Sequence, residues 1–181
     1  MIRFREGILL LALLPVGCGP TLITAPDVIR PETSPDPNDP LLAGKPLSLW
    51  KADLKKSSAA ARRSAAAALG EPKAKFAVPP LIEALKDQEA EVRAVAARSL
   101  GIIGPDKDSI AALTAALRDQ NPPVVVAAAD ALMRFKTEAK SAVPTLVELW
   151  KGKNNDIRGA AGAALNHIDR EAARDAGVPQ P

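Results

Sequence analysis

The part of the chain after Lys45 consists of four copies of a two-helix repeat, each about thirty-two residues long. The repeat is clearest over residues 78–105, VPPLIEALKDQEAEVRAVAARSLGIIGP, and it recurs from residues 110 and 143, with a weaker first copy from residue 47. The register rests on three apolar columns: Leu54, Leu85, Leu117 and Trp150; Leu69, Leu100, Leu132 and Leu165; Ala61, Val92, Val124 and Ile157. Because one such repeat cannot bury its apolar face alone, this periodicity predicts a stacked solenoid.

Signals for the beginning and end of helices support this interpretation. Pro79 and Pro144 stand where the first helix of a repeat would begin, a position at which the missing N–H costs nothing. Gly104 and Pro105 follow the second helix of the clearest repeat, as expected at a helix end. The pattern predicts repeats over about residues 46–75, 76–107, 108–140 and 141–176, followed by a tail at 177–181.

The N-terminal segment has the layout of a secretory signal. Arg3 and Arg5 precede an apolar run, Ile8–Leu14, which is too short to span a bilayer. The segment resembles a bacterial lipoprotein signal, with Val-Gly-Cys ending at Cys18 and Pro15 where that motif usually has leucine. This resemblance implies a signal peptide over 1–17, lipidation of Cys18 and location in the bacterial cell envelope. An ordinary cleaved signal and an uncleaved anchor are the alternatives.

Residues 18–45 are rich in proline and poor in large apolar side chains. Proline fixes φ and removes a backbone donor, and a segment of this composition has little to bury. We therefore expect a disordered, extended tether between the lipidated cysteine and the repeats.

The repeats resemble the HEAT repeat family, in particular the short, Ala-rich repeats of bilin-lyase-type proteins. The resemblance covers about residues 47–175 and rests on the apolar columns plus an Asp followed six residues later by an Arg. It implies an all-α, right-handed α-solenoid of about four helical hairpins. It also implies an Asp/Arg ladder between repeats that includes Asp87, Arg93, Asp119 and Arg158, in which either Arg93 or Arg158 could serve Asp119.

The composition disfavours most catalytic and metal sites. The chain has one cysteine and one histidine, and its net charge is only +3, with both signs interspersed along the repeats. A lone His167 cannot complete a metal site, and Trp50 and Trp150 fall in apolar columns, which predicts packing roles. We expect no cofactor, no metal, no small-molecule substrate and no nucleic-acid partner.

The predicted function is that of a membrane-tethered scaffold, not an enzyme, that binds a protein or peptide. The second helices should line a concave surface, on which Arg63, Arg98 and Arg134 are the best candidate contacts, since arginine is enriched at interface hot spots. A solvated face without a partner is the alternative for these residues. A bilin-lyase-like or chaperone-like accessory enzyme is the alternative function, and nucleic-acid binding is less favoured.

Overall fold

The computed structural model describes residues 38–180, which belong to one compact unit, Pro35–Pro181. Its helices are α1 (Leu47–Asp53), α2 (Ala59–Ala68), α3 (Val78–Ala84), α4 (Ala90–Ile103), α5 (Lys107–Ala116), α6 (Pro122–Phe135), α7 (Val143–Trp150), α8 (Asn155–Ile168) and α9 (Arg170–Asp175). A two-stranded antiparallel hairpin, β1 (Leu41–Leu42) and β2 (Lys45–Pro46), precedes α1, and 3₁₀ turns span Lys75–Ala77 and Lys136–Ala142. Helices α1 to α8 form four hairpins stacked in sequence order, so the predicted all-α, right-handed α-solenoid is confirmed.

The core follows the predicted columns. Leu69, Leu100, Leu132 and Leu165 are all completely buried. Leu100, Leu132 and Leu165 lie on the second helices α4, α6 and α8, and Leu69 directly follows α2. The second helices pack against one another more extensively than the first helices do. Because the second helices are closer together than the first helices, the stack curves towards the second-helix side. The second helices therefore line the concave face.

The N-terminal end of the solenoid begins earlier than the sequence predicted. The hairpin occupies the last part of the expected tether, 18–45, and Leu42 is buried against the first repeat. The indole N–H of Trp50 donates to the Leu42 carbonyl at 2.8 Å, which fixes the hairpin on α1. The chain turns between the two strands at Ala43 and Gly44, which have φ of +47° and +75°. The predicted signal peptide, Cys18 and the rest of the tether lie outside the described residues.

The C-terminal end is closed by an element that the sequence analysis did not separate from the fourth repeat. Helix α9 packs on α8 and buries Ala173. The indole N–H of Trp150 donates to the Ala176 carbonyl at 3.1 Å, so each tryptophan fastens one end segment of the stack. Among residues 38–180, no helix is both long and apolar enough to cross a membrane.

One backbone position recurs after the second helix of the first three repeats. Lys73, Gly104 and Lys136 occupy it, with φ of +67°, +106° and +52°. Side chains with a Cβ rarely adopt positive φ, because the Cβ crowds the backbone. Lys136 is therefore held in a conformation that glycine adopts without strain.

We predict that Lys136→Gly raises the free energy of unfolding by about 0.5–1 kcal/mol, because the relief of backbone strain exceeds the added chain entropy of the unfolded state. Denaturant unfolding of the full chain measures the change. Lys136→Ala is the control, since it removes the charged stem and keeps the Cβ. An equal gain from the alanine variant would show that the strained backbone is not the cause.

Candidate functional site

Small residues bring the second helices into close contact beneath the concave face. A Cβ added to Gly101 on α4 would lie 2.8 Å from the Ala131 Cβ on α6 and 2.9 Å from its Cα. A Cβ on Gly70 would lie 2.6 Å from Ser99 Oγ, and that hydroxyl donates to the Ala66 carbonyl of the preceding repeat at 2.8 Å. These contacts leave no space for larger side chains at the points where consecutive repeats meet.

The three arginines predicted to contact a partner all lie exposed on second helices, but they differ in their surroundings. Arg63 on α2 pairs with Glu91 on α4 at 2.5 Å. Arg98 on α4 and Arg134 on α6 have no ion pair among the described residues. Two guanidinium groups are therefore available in the middle of the concave face, whereas the third is partly neutralised.

The surroundings of Arg98 and Arg134 combine charge with apolar surface. The side chain of Ile102, one turn after Arg98, leaves 45% of its area exposed. The Cδ of Arg134 lies 3.6 Å from the position that a Cβ on Gly101 would take, so the arginine stem lies close to Gly101 on α4. Asp130, one turn before Arg134, is exposed as well. The patch can hydrogen-bond carboxylates and cover an apolar side chain at the same time.

A groove of about 610 Å³ continues this patch between α6 and α8. Val126 and Asp130 line it from α6, and Gly159 and Ala160 line it from α8. Nothing lies within 4 Å of where a Gly159 Cβ would be. The groove is open because small residues follow one another here, which makes room for an extended segment of a partner.

A second set of charged residues holds neighbouring repeats together at the turns between first and second helices. Arg62 Nε donates to Asp87 Oδ2 at 2.6 Å and its Nη2 to Oδ1 at 2.9 Å. Arg93 repeats this geometry with Asp119, at 2.7 and 2.9 Å. In both cases the remaining Nη1 donates to two carbonyl oxygens of the arginine's own turn. Each arginine thus links its own turn to the aspartate of the next repeat.

The pairing differs from the predicted ladder at two points. Asp87 is paired with Arg62, which the sequence analysis did not single out. Arg62 follows Lys56 by six residues, which is the same spacing as that of Arg93 after Asp87. Arg158 pairs with no aspartate in the described part of the chain, and its guanidinium lies 5.6 Å from the Trp150 ring centroid. It occupies the arginine position of the last repeat, and no fifth repeat follows it within the described residues.

The step from the third to the fourth repeat has no charged pair, and both partners are replaced together. Val125, which is 2% exposed, takes the arginine position, and Gly152 takes the aspartate position. Loss of one partner alone would have left a poorly solvated charge, which is costly. The loss of both partners therefore leaves no unpaired charge at this step.

The environment of the two aspartates favours their charged form. Hydrogen bonds from Arg62 lower the pKa of Asp87, and those from Arg93 lower the pKa of Asp119. Backbone N–H groups two residues further on, at Glu89 and Asn121, donate to the same carboxylates at 2.9 Å and act in the same direction. Both aspartates are thus charged groups that stabilise the contact between neighbouring repeats.

Asp106 and His167 have local structural roles. Asp106 caps α5, where its side chain accepts from the backbone N–H of Asp108 and Ser109. His167 is exposed, and its Nδ1 lies 2.9 Å from the Ala163 carbonyl in the preceding turn. No group of three or more His, Cys, Asp or Glu side chains within residues 38–180 could hold a metal ion.

Comparisons with known proteins identify the repeats. The family described as HEAT repeats matches residues 47–134 and, overlapping with these, residues 113–176. No curated protein matches the chain. The solved complex of CpcE and CpcF of phycocyanin lyase from Nostoc sp. PCC7120 is similar at 29% identity and a TM-score of 0.62, over 77% of this chain and 58% of that one. This chain therefore spans less than two thirds of that relative.

Two further structures are similar in fold alone. An engineered protein has 24% identity and a TM-score of 0.58, over 72% of this chain and 68% of its own. A designed armadillo repeat protein in complex with the peptide (KR)4 has 21% identity and a TM-score of 0.56, over 68% of this chain and 64% of its own. Both agree with the helical repeat architecture.

The lowered pKa values of Asp87 and Asp119 predict a specific acid sensitivity. A depressed folded-state pKa stabilises the fold above the unfolded pKa of about 3.9, and this contribution is lost as the pH falls through the folded-state value. We expect the free energy of unfolding to fall below about pH 4. Asp87→Asn with Asp119→Asn should be less stable at neutral pH and should lose less stability on acidification. The control is Asp108→Asn with Asp175→Asn, two exposed aspartates, which should keep the original dependence of the free energy of unfolding on pH. Denaturant unfolding at several pH values measures this dependence. An unchanged dependence in Asp87→Asn with Asp119→Asn would contradict the structural role of the two aspartates.

Proposed function

Because this chain belongs to the HEAT repeat family, we propose that it is a non-enzymatic scaffold whose concave face binds a protein or peptide, held at a bacterial envelope membrane by a lipid on Cys18. The observation that carries the binding role is the pair of exposed arginines, Arg98 and Arg134, which lie on adjacent second helices without ion-pair partners in the described part of the chain. Solenoids use such extended concave surfaces for binding.

The geometry suggests how a partner is held. Arg98 and Arg134 lie on adjacent helices, so one extended segment can contact both while an apolar side chain covers Ile102. The segment then continues into the groove between α6 and α8, where Asp130 offers a carboxylate to a donor. Arginine contacts of this kind frequently dominate the binding free energy.

The membrane tether is the second part of the proposal. It rests on the resemblance of residues 1–18 to a lipoprotein signal and on the proline-rich stretch that follows. Stable anchoring requires more than one acyl chain, which lipoprotein processing supplies. Labelling with a fatty acid tests this part. The chain should incorporate the label, and Cys18→Ser should not.

The likeness to the phycocyanin lyase complex favours a second candidate, an accessory role in chromophore attachment. Incubation with a bilin and an acceptor protein tests it, and the scaffold proposal expects no transfer. Covalent transfer of the bilin that depends on this chain would contradict the non-enzymatic scaffold and would support an enzyme.

The binding surface can be tested by site-specific crosslinking in native membranes. A photoreactive residue at Ala163, exposed on the concave side, should capture a partner, whereas one at Ala115, exposed on the first helix α5, should not. Combined Arg98→Ala and Arg134→Ala should reduce capture about tenfold or more, because hot-spot residues each contribute more than about 1 kcal/mol.

Arg118→Ala is the matched control, since Arg118 is an exposed arginine in the turn after α5. It should leave capture unchanged. Equal capture from Ala115, or capture that does not depend on the two concave arginines, would contradict the proposed surface.

A further inference from the structure

The side of the solenoid opposite the concave face also carries a groove, which lies between the first helices α1 and α3 and has a volume of about 380 Å³. Helices α1 and α3 contact each other sparsely, whereas α2 and α4 of the same two repeats pack closely. Because the first helices lie further apart than the second helices, a cleft opens between them. We call this cleft the α1–α3 groove.

The wall of the α1–α3 groove that belongs to the first repeat is basic. Lys51 on α1 and Lys55 just after it both line the groove, and both are exposed. Neither lysine has an ion pair among residues 38–180. Leu54 lies half-buried on the same wall and adds an apolar surface next to the charges. Two unpaired ammonium groups are thus available at a single groove.

The opposite wall belongs to α3 and the turn after it, and its two carboxylates are already paired. Arg62 Nε lies 2.6 Å from Asp87 Oδ2. Lys86 Nζ lies 3.2 Å from Glu83 Oε1. The rest of this wall consists of Pro79, Pro80 and Ala84. Since proline has no backbone N–H, this part of the wall offers a ligand apolar contact. The groove as a whole therefore has an excess of positive charge.

The equivalent groove of the next pair of repeats lacks this combination. It lies between α3 and α5 and has a volume of about 240 Å³. In the register of the apolar columns, Ile82 stands where the first repeat has Lys51, and Lys86 stands where it has Lys55. Lys86 is paired with Glu83. The wall that carries two unpaired lysines in the first groove thus carries none in the second.

We propose that the α1–α3 groove binds an extended, acidic segment of a partner protein in which acidic and apolar residues alternate. Successive side chains of an extended chain point to opposite sides. Acidic side chains can therefore contact Lys51 and Lys55 while the apolar side chains between them contact Pro79, Pro80 and Ala84.

The spacing of the two lysines suits an extended segment. Four residues of helix span about 6 Å, and two residues of a strand span about 6.6–6.8 Å, so alternate acidic residues match Lys51 and Lys55. A helical partner is about 10–12 Å wide with its side chains, which is broad for a groove of about 380 Å³.

This site is separate from the concave face. Arg98 and Arg134 lie on the second helices α4 and α6, whereas the α1–α3 groove lies between first helices. The inference goes beyond the proposed function and depends neither on the concave site nor on the membrane tether. A solenoid with both sites can hold two partners at once.

The test uses a short, capped peptide of alternating Asp and Leu in which one leucine is a photoreactive diazirine analogue. The peptide is crosslinked to the full chain, and the crosslinked residues are identified by mass spectrometry. Crosslinks should fall within residues 51–55 and 79–87. Lys51→Ala with Lys55→Ala should reduce their yield at subsaturating peptide about five- to tenfold, as expected when two exposed charge contacts are lost. The yield should also fall at about 1 M salt, where the Debye length is about 3 Å.

Two control variants carry the same number of changes. Lys151→Ala with Lys153→Ala alters exposed lysines after α7, where no further repeat of the described chain forms a groove, and should leave the yield unchanged. Arg98→Ala with Arg134→Ala should also leave crosslinks in the α1–α3 groove unchanged. Circular dichroism establishes that all variants keep their helices.

Two control peptides test the two parts of the recognition. Serine in place of the remaining leucines, or lysine in place of aspartate, should each reduce crosslinking in the groove. Equal crosslinking by the serine peptide would mean that charge alone attracts the probe and would overturn the proposal. Crosslinks that fall on α4 and α6 and disappear in Arg98→Ala with Arg134→Ala would also overturn it, because they would place the acidic segment on the concave face.

Discussion

Close contact between consecutive second helices is the constraint on which the rest of the solenoid depends. Gly101 faces Ala131 across α4 and α6 with no space for a Cβ, and Gly70, two residues after α2, faces Ser99 on α4 in the same way. Contact at this distance brings the second helices closer together than the first helices, and the difference produces the curvature. The concave face follows from these small residues.

The charged pairs act at the turns, where close packing does not reach. Arg62 and Arg93 each bind an aspartate of the next repeat and two carbonyls of their own turn. A bidentate guanidinium contact specifies geometry as well as attraction. The helix contacts thus set the distance between repeats, and the pairs set the position of each turn relative to the next.

Charge is distributed according to these roles. Paired arginines at the turns are structural, whereas Arg98 and Arg134 are exposed without an ion pair in the described residues and suit a partner. Lys51 and Lys55 belong to neither group: they are exposed without an ion pair among the described residues and line a groove between α1 and α3.

The repeat architecture could be predicted because it rests on apolar periodicity, which is visible in one chain. Leu100 and Leu132 occupy predicted columns and are fully buried. The repeat register also places Arg62 at the position of Arg93, one residue after the column of Ala61 and Val92, but Lys56 stands where an aspartate would have marked the pair, so Arg62 was missed. The hairpin around Leu42 was missed because two leucines in a proline-rich stretch have no periodicity of their own.

One pair of identical substitutions tests the close contact of the second helices most directly. Gly159 on α8 has open space where a Cβ would lie. Gly159→Ala should therefore raise the free energy of unfolding by about 0.4–1 kcal/mol, because alanine lowers the conformational entropy of the unfolded chain. Gly101→Ala should lower it, because a Cβ there meets Ala131 at 2.8 Å and the helices must separate. Denaturant unfolding of the two variants measures both changes. Opposite signs are the predicted result, and an equal gain at Gly101 would contradict the account of how the repeats stack.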